Sequence, residues 1–252
     1  MTELREDGFL GGRLRIAQPA RGYRAGADAV MLAAACPARP GDSVLELGCG
    51  AGVAMLCLGA RVPGLRLAGL ELQPAYAELA RRNAAANAIP AELHEGDLAR
   101  MPTALRGQSF DHVIANPPYF TGGPPAPDAG RGRARHEATP LPLWIEAGLR
   151  RLRPGGWLTL IQRADRLAEI LAALSPLAGA ITILPVAARE GREAGRVIAC
   201  ARKGARAPLR LLSPFVMHAK PSHSGDEEDL TKAAQAVLRE GAALSLGGPN
   251  FR

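Results

Sequence analysis

Two short stretches of the sequence combine residue types that can do chemistry. In Asn116-Pro117-Pro118-Tyr119, consecutive prolines stiffen the chain, and Pro117 biases Asn116 away from the helical region. The result is a rigid bracket that presents the Asn116 side-chain oxygen and the Pro117 carbonyl as fixed acceptors, with Tyr119 as a flat ring beside them. That combination suits a planar amine. The lone pair of such an amine is delocalised into its ring, so it is a poor nucleophile. Two acceptors aimed at its N–H groups favour charge build-up on nitrogen as it attacks an electrophile. Tyr119 can stack on the flat substrate. A strong general base is not needed, because nitrogen becomes acidic as it alkylates.

The second stretch is Glu46-Leu47-Gly48-Cys49-Gly50-Ala51-Gly52, where glycines let the backbone pass close to a ligand. Glu71 stands at the next predicted strand end, 19 residues after Gly52, where an acid can accept both hydroxyls of a ribose. The run Gly48-x-Gly50-x-Gly52 lacks the G-x-x-G step that seats a pyrophosphate, and the carboxylate of Glu46 suits a cationic ligand better.

These stretches need elements to position them. Residues 8–16, with Gly11-Gly12, read as a hairpin, and residues 25–36 as a helix. Strands are predicted at 43–47, 65–72, 91–95, 110–115 and 157–162, alternating with helices at 53–61, 74–87, 141–151 and 164–174. Residues 180–185 and 196–201 read as a closing pair with no helix between them. This pattern predicts an α/β, Rossmann-like fold: a mostly parallel seven-stranded sheet, helices on both faces and an antiparallel edge strand. We expect one domain over residues 1–252, with an N-terminal hairpin and helix (1–42), a core (43–203) and a C-terminal extension (204–252). The extension carries a predicted helix at 227–239 and a small-residue end, expected either to fray or to pack on the sheet edge.

Composition narrows the function classes. Hydrophobic residues make up 47% of the 252, enough for a full core, and no apolar run is long enough to cross a membrane. Met1 to Asp7 are polar and acidic, unlike a signal peptide, which predicts a cytoplasmic protein. Cys36, Cys49, Cys57 and Cys200 have neither disulfide-scaffold nor zinc spacing and read as small buried side chains. His218 and His223 have no acidic or cysteine partner at ligand spacing, so no metal is expected. The net charge of +7, mostly from arginine, favours a polyanionic partner. Trp144 and Trp157 read as core residues.

The Glu46 to Gly52 run resembles the first motif of class I S-adenosylmethionine-dependent methyltransferases. The resemblance implies S-adenosyl-L-methionine as cofactor. It places Glu46, Gly48, Cys49, Gly50 and Gly52 around it, Glu71 with Leu72 at the ribose, Gly96-Asp97 at the adenine ring and Leu98 as a backbone donor to that ring. Asn116 closes the site, and the tetrapeptide resembles that of amino-methyltransferases. Residues 22–220, about four-fifths of the chain, resemble the bacterial tRNA adenine N6-methyltransferases that modify valine tRNA next to the anticodon. The segments that carry this are Tyr23-Arg24-Ala25-Gly26-Ala27-Asp28-Ala29-Val30-Met31-Leu32, Ala134-Arg135-His136-Glu137 and Pro214-Phe215-Val216-Met217-His218, although Ala27 stands where a hydroxyl residue is expected. The resemblance implies methylation of an adenine N6 amine in RNA, with tRNA as partner.

Within that frame, Asp28 either faces the methionine part of the cofactor or is a helix N-terminal acid stabilised by the dipole. Arg24 either sits near the cofactor or the incoming nucleotide, or is its solvated neighbour. Arg131, Arg133 and Arg135 alternate in a loop after the tetrapeptide and are expected to grip RNA phosphates, with His136 beside them. Three alternatives remain open. A guanine N2-methyltransferase of rRNA would often carry Phe at the place of Tyr119 and an extra domain copy. A glutamine N5 protein methyltransferase would carry a helical domain before the first core strand, where only about 42 residues stand here. A catalytically inactive RNA-binding module is opposed by the intact Gly48, Gly50, Gly52, Glu71, Asp97 and Asn116.

Overall fold

A computed structural model describes residues 3–119, 139–220 and 229–246. The chain opens with an antiparallel hairpin, β1 (Leu4–Phe9) and β2 (Leu14–Pro19), whose turn runs through Leu10, Gly11 and Gly12, all at positive φ. Helix α1 (Ala27–Ala35) follows. Then come β3 (Ser43–Leu47), α2 (Val53–Arg61), β4 (Arg66–Glu71), α3 (Pro74–Ala86), β5 (Ala91–Glu95), the short α4 (Thr103–Arg106) and β6 (Phe110–Ala115). Helix α5 (Leu141–Arg151), β7 (Leu152–Arg163), α6 (Leu167–Leu174), β8 (Ala178–Ala187) and β9 (Ala194–Lys203) complete the core.

Alternation along each strand decides the layers, because successive side chains point to opposite faces. On one face, Val44 and Ile114 pack with α1, α2, α3 and the hairpin residues Leu10, Leu14 and Ile16. On the other, Leu45, Leu47 and Val113 pack with α5 and α6. Both faces are covered, so the strands are apolar nearly throughout, as buried parallel strands are.

The strand order is β10-β8-β9-β7-β6-β3-β4-β5. The expected seven strands are present, and two two-residue strands, β10 (Arg210–Leu211) and β11 (Phe215–Val216), extend the β8 edge in parallel. The antiparallel strand β9 lies one place inside that edge, between β7 and β8. The closing pair forms a hairpin, but β9 inserts and β8 carries the edge.

The C-terminal extension meets one of its two expectations in part: β10 and β11 pack on the sheet edge, while the segment after them lies on α1. Helix α7 (Lys232–Glu240) is capped by the Thr231 hydroxyl, which accepts from the Ala234 N–H, and by Gly241 at φ 71°. The chain beyond it lies on α1, where the Leu244 N–H donates to the Ala34 carbonyl at 2.9 Å and Leu244 and Leu246 are buried. Their apolar side chains join the same cluster as the hairpin. His218 also gains an acidic partner that spacing did not reveal: its Nδ1 lies 2.6 Å from Asp229 Oδ1. Asp229 also binds Arg189 at 2.8 Å, so this acid is paired with a cation. Trp144, Trp157 and all four cysteines are buried, as the sequence predicts. No helix among the described residues is long and apolar enough to cross a membrane.

Candidate active site

The strand order turns direction between β3 and β6, which pair in parallel with Leu47 opposite Ala115. Ligands of open α/β sheets bind in the crevice outside such a switch point. The two motifs far apart in sequence leave the sheet here side by side: Gly48 follows β3 and Asn116 follows β6. A narrow cleft opens between them, lined by Tyr23, Glu46, Gly48, Cys49, Gly50 and Asn116 among others.

The Gly-rich turn has the shape its glycines permit. Gly48 sits at φ 64° and Gly50 at φ 54°, in the left-handed region. A Cβ at Gly50 would meet nothing within 4 Å, so its backbone faces open space. A Cβ at Gly48 would fall 2.4 Å from the Trp144 ring, so α5 closes down on the turn from behind. Gly48→Ala therefore combines overpacking with an unfavourable φ, and we expect it to lower stability by about 2–4 kcal/mol in urea denaturation. Asn83, 3% exposed on α3, secures the turn further. Its Nδ2 donates to the Ala51 carbonyl at 2.9 Å and its amide pairs with the backbone of Ala17.

Two carboxylates are buried at this turn. Glu46 Oε2 accepts from the Met55 N–H at 2.8 Å, in the first turn of α2. Glu71 accepts from the N–H groups of Gly50 and Gln73, each at 2.9 Å. Neither has a cationic partner among the described residues. Burial pushes the Glu46 carboxyl up to about 8, against the pull of the Met55 N–H, and Glu71 adds to the rise. Burial raises Glu71 as well, opposed by its backbone donors. Acids whose charged forms are disfavoured by burial, beside a cleft, suit a positively charged ligand that would favour those forms on binding.

The adenine-side residues lie at the next strand end. The Gly96 N–H donates to the Glu71 carbonyl at 2.9 Å, bringing Gly96-Asp97 beside Glu71. Asp97 Oδ1 caps the following turn through the Ala99 N–H at 2.8 Å, with Leu98 half-buried behind it. Leu72 is 55% exposed, an apolar side chain left open at the rim.

In the tetrapeptide, Asn116 Oδ1 is buried without a hydrogen-bond partner among the described residues, while its Nδ2 lies 3.4 Å from the Tyr23 hydroxyl. An orphaned buried acceptor costs free energy, and a ligand donor is the simplest thing that would satisfy it. The Pro117 carbonyl accepts from Gln162 Nε2 at 3.2 Å. Gln162 is fully buried, and its Oε1 accepts from the Arg163 N–H at 2.9 Å, so the bracket is braced from behind by β7. Pro118 is exposed. The Tyr119 hydroxyl donates to Asp28 Oδ2 at 2.5 Å, and the Arg196 guanidinium lies 4.5 Å from its ring centroid. Burial, then the Asp28 carboxylate, push the phenol far above its usual range, so it stays protonated.

Two expected cofactor residues are engaged by other side chains in this structure. Arg24 binds Asp7 of β1 at 2.5 Å and does not line the cleft. Asp28 is taken by Tyr119 and Arg196, whose Nε donates to it at 3.1 Å. Spacing put both near the turn, but the hairpin and β9 supply competing partners. Arg131, Arg133, Arg135 and His136 lie outside the described residues. Gln162 and Arg196 were not singled out in the sequence, and Tyr23 entered only as the first residue of a quoted segment. Gln162 also left a signal, a polar residue closing the mostly apolar run 157–161.

Residues 26–175 match the family described as methyltransferase small domain. A Porphyromonas gingivalis tRNA1(Val) (adenine(37)-N6)-methyltransferase is 36% identical over 173 residues, covering 65% of this chain and 68% of that protein. The protein of the same name from Dickeya chrysanthemi is 29% identical over 216 residues, covering 83% of this chain and 85% of its own. Among solved structures, a predicted O-methyltransferase, Atu636 from Agrobacterium tumefaciens, superposes with a TM-score of 0.70 at 30% identity, covering 86% of this chain and 98% of that one.

Proposed function

The chain belongs to the methyltransferase small domain family, and on that basis we propose that it transfers a methyl group from S-adenosylmethionine to the exocyclic N6 amine of an adenine in RNA, with tRNA as substrate. The observation that carries this reading is Asn116 Oδ1, buried and without a partner among the described residues, in a cleft lined by the Glu46 carboxyl, with Glu71 bound to the Gly50 N–H of the same turn. The names of the Porphyromonas and Dickeya relatives support adenine N6 as the acceptor.

The residues present fit the cofactor. Glu71 would hold the ribose hydroxyls, Asp97 and the Leu98 N–H the adenine, and Leu72 would cover the ring edge. The open face at Gly50 leaves room for the ligand, and Glu46 supplies negative charge toward its cationic end. When bound, S-adenosylmethionine supplies a methyl group activated by a positively charged sulfur. Asn116 Oδ1 accepts one N–H of the substrate amine. Gln162 occupies one lone pair of the Pro117 carbonyl, leaving the other for the second N–H. Both acceptors favour the positive charge that develops on nitrogen, and their fixed placement removes the cost of reorganising them. Tyr119 carries the base on its ring.

We also read residues 1–252 as one catalytic domain. The hairpin, α1 and residues 229–246 share an apolar cluster with the sheet, which supports that reading.

The test is incubation of the purified protein with methyl-labelled S-adenosylmethionine and total tRNA, followed by digestion to nucleosides. Label is expected in N6-methyladenosine. Label in N2-methylguanosine, or only in protein, would overturn the reading.

A further inference from the structure

We propose that Asp28 and Arg196 lock Tyr119 into a one-sided platform for the substrate base, so that Asp28 serves the nucleobase side of the site and not the cofactor. This rests on the reading of the chain as an adenine methyltransferase. Three elements meet at the platform. Asp28 comes from the first turn of α1, Tyr119 from the chain leaving β6, and Arg196 from the start of β9. One carboxylate oxygen, Asp28 Oδ2, accepts from both the Tyr119 hydroxyl at 2.5 Å and Arg196 Nε at 3.1 Å. The guanidinium also stacks 4.5 Å from the ring centroid.

A tyrosine ring has two rotatable bonds, and backbone rigidity at Pro117-Pro118 does not stop it swinging. A hydrogen bond at the far end of the ring and a cation on one face remove that freedom together. The face covered by Arg196 cannot receive a base, so stacking is directed to the other face. Asp28 is neutralised by Arg196, and its shared oxygen already accepts two donors. That leaves little negative charge for a cofactor ammonium. Asp28 and Arg196 are thus positioning residues that act through Tyr119.

The test compares wild type, Asp28→Ala, Asp28→Asn, Tyr119→Phe and the Asp28→Ala/Tyr119→Phe double variant. It measures cofactor affinity by calorimetry, steady-state methylation of tRNA and thermal stability. Asp28→Ala is expected to lower kcat about 10–100-fold while changing cofactor Kd by less than about twofold. Asp28→Asn keeps an acceptor for the Tyr119 hydroxyl and should recover most of that loss, which a loss of fold would not allow. The double variant should be no worse than the poorer single variant, because both remove the same contact. A weakening of cofactor binding by about tenfold or more with kcat preserved would assign Asp28 to the cofactor instead. Losses that multiply in the double variant would show the residues act independently. If wild type leaves tRNA unmethylated, the functional reading alone falls. The platform is then judged by the stability cycle between Asp28→Ala and Tyr119→Phe, where additive losses overturn it.

Discussion

Replacing Asn116 with alanine is expected to lower kcat for methyl transfer by about 10²–10³-fold, the scale of losing one aimed hydrogen-bonding group at the reacting centre. Cofactor affinity should stay nearly unchanged, since the residues proposed to hold the cofactor lie at the ends of β3 and β4 and after β5. The stability readout makes the prediction sharper. Among the described residues Asn116 Oδ1 is buried without a partner, and its Nδ2 has a long contact to Tyr23 at 3.4 Å. Removing an unsatisfied polar group relieves a desolvation cost, so the variant should melt at the same temperature as wild type or above it. An inactive variant that is more stable is the signature of a residue kept for chemistry at the expense of the fold. Equal losses of transfer and of cofactor binding, measured by single turnover and calorimetry, would mean that Asn116 holds the cofactor and not the amine.

The second large effect is on pH. Burial lifts Glu46 from its ordinary 4.5 to about 8, so in the free protein it is mostly protonated below that value. A cationic ligand favours the charged form, so binding lowers the carboxyl's pKa and releases a proton. Affinity for S-adenosylmethionine should therefore rise with pH by about tenfold per unit between roughly pH 6 and 8, then level off. Calorimetry in buffers of different ionisation enthalpy should show the proton released. Glu46→Gln should flatten the profile, and a wild-type profile that is already flat would refute the role. The same group links stability to pH with a definite sign. Between about 4.5 and 8 the folded protein binds more protons at Glu46 than the unfolded chain does. The ligand-free protein should therefore lose stability as pH rises through that window. The cofactor should offset the loss, because it binds the charged form.

The residues that sequence patterns made legible are those whose role depends on near neighbours in the chain. The glycines 48, 50 and 52 sit between a strand and a helix, and their positive φ values follow from that turn. Asn116-Pro117-Pro118-Tyr119 is stiff because of its own prolines. Glu46 is the last residue but one of β3 and Glu71 ends the adjacent β4, which places both near the carboxyl edge of the parallel sheet. Arg24 and Asp28 show the opposite case. Their proximity to the turn was legible, but not that Asp7 of the hairpin would capture Arg24, or that Tyr119 and Arg196 would capture Asp28. A helix N-terminal acid has the same local pattern whether it faces a ligand, a solvent or a tyrosine 91 residues away. Gln162 and Arg196 could not be placed either, because each acts across strands and neither has a local motif around it.

What the amino-acid order determined by itself is the chemical inventory and the layering. Periodicity of two in the strands and near four in the helices, with turn residues between them, is enough to demand a covered parallel sheet. The two motifs likewise point to a planar amine and a cationic ligand without any reference to space, and the second resembles a known S-adenosylmethionine motif. Only tertiary structure decided that they form one site. Pairing of Leu47 with Ala115 sets Gly48 beside Asn116, whose Oδ1 is buried without a partner among the described residues. The physical reason is that strand order, and the desolvation it imposes, are properties of contacts between distant segments. No local pattern encodes which buried acceptor will be left waiting for a donor.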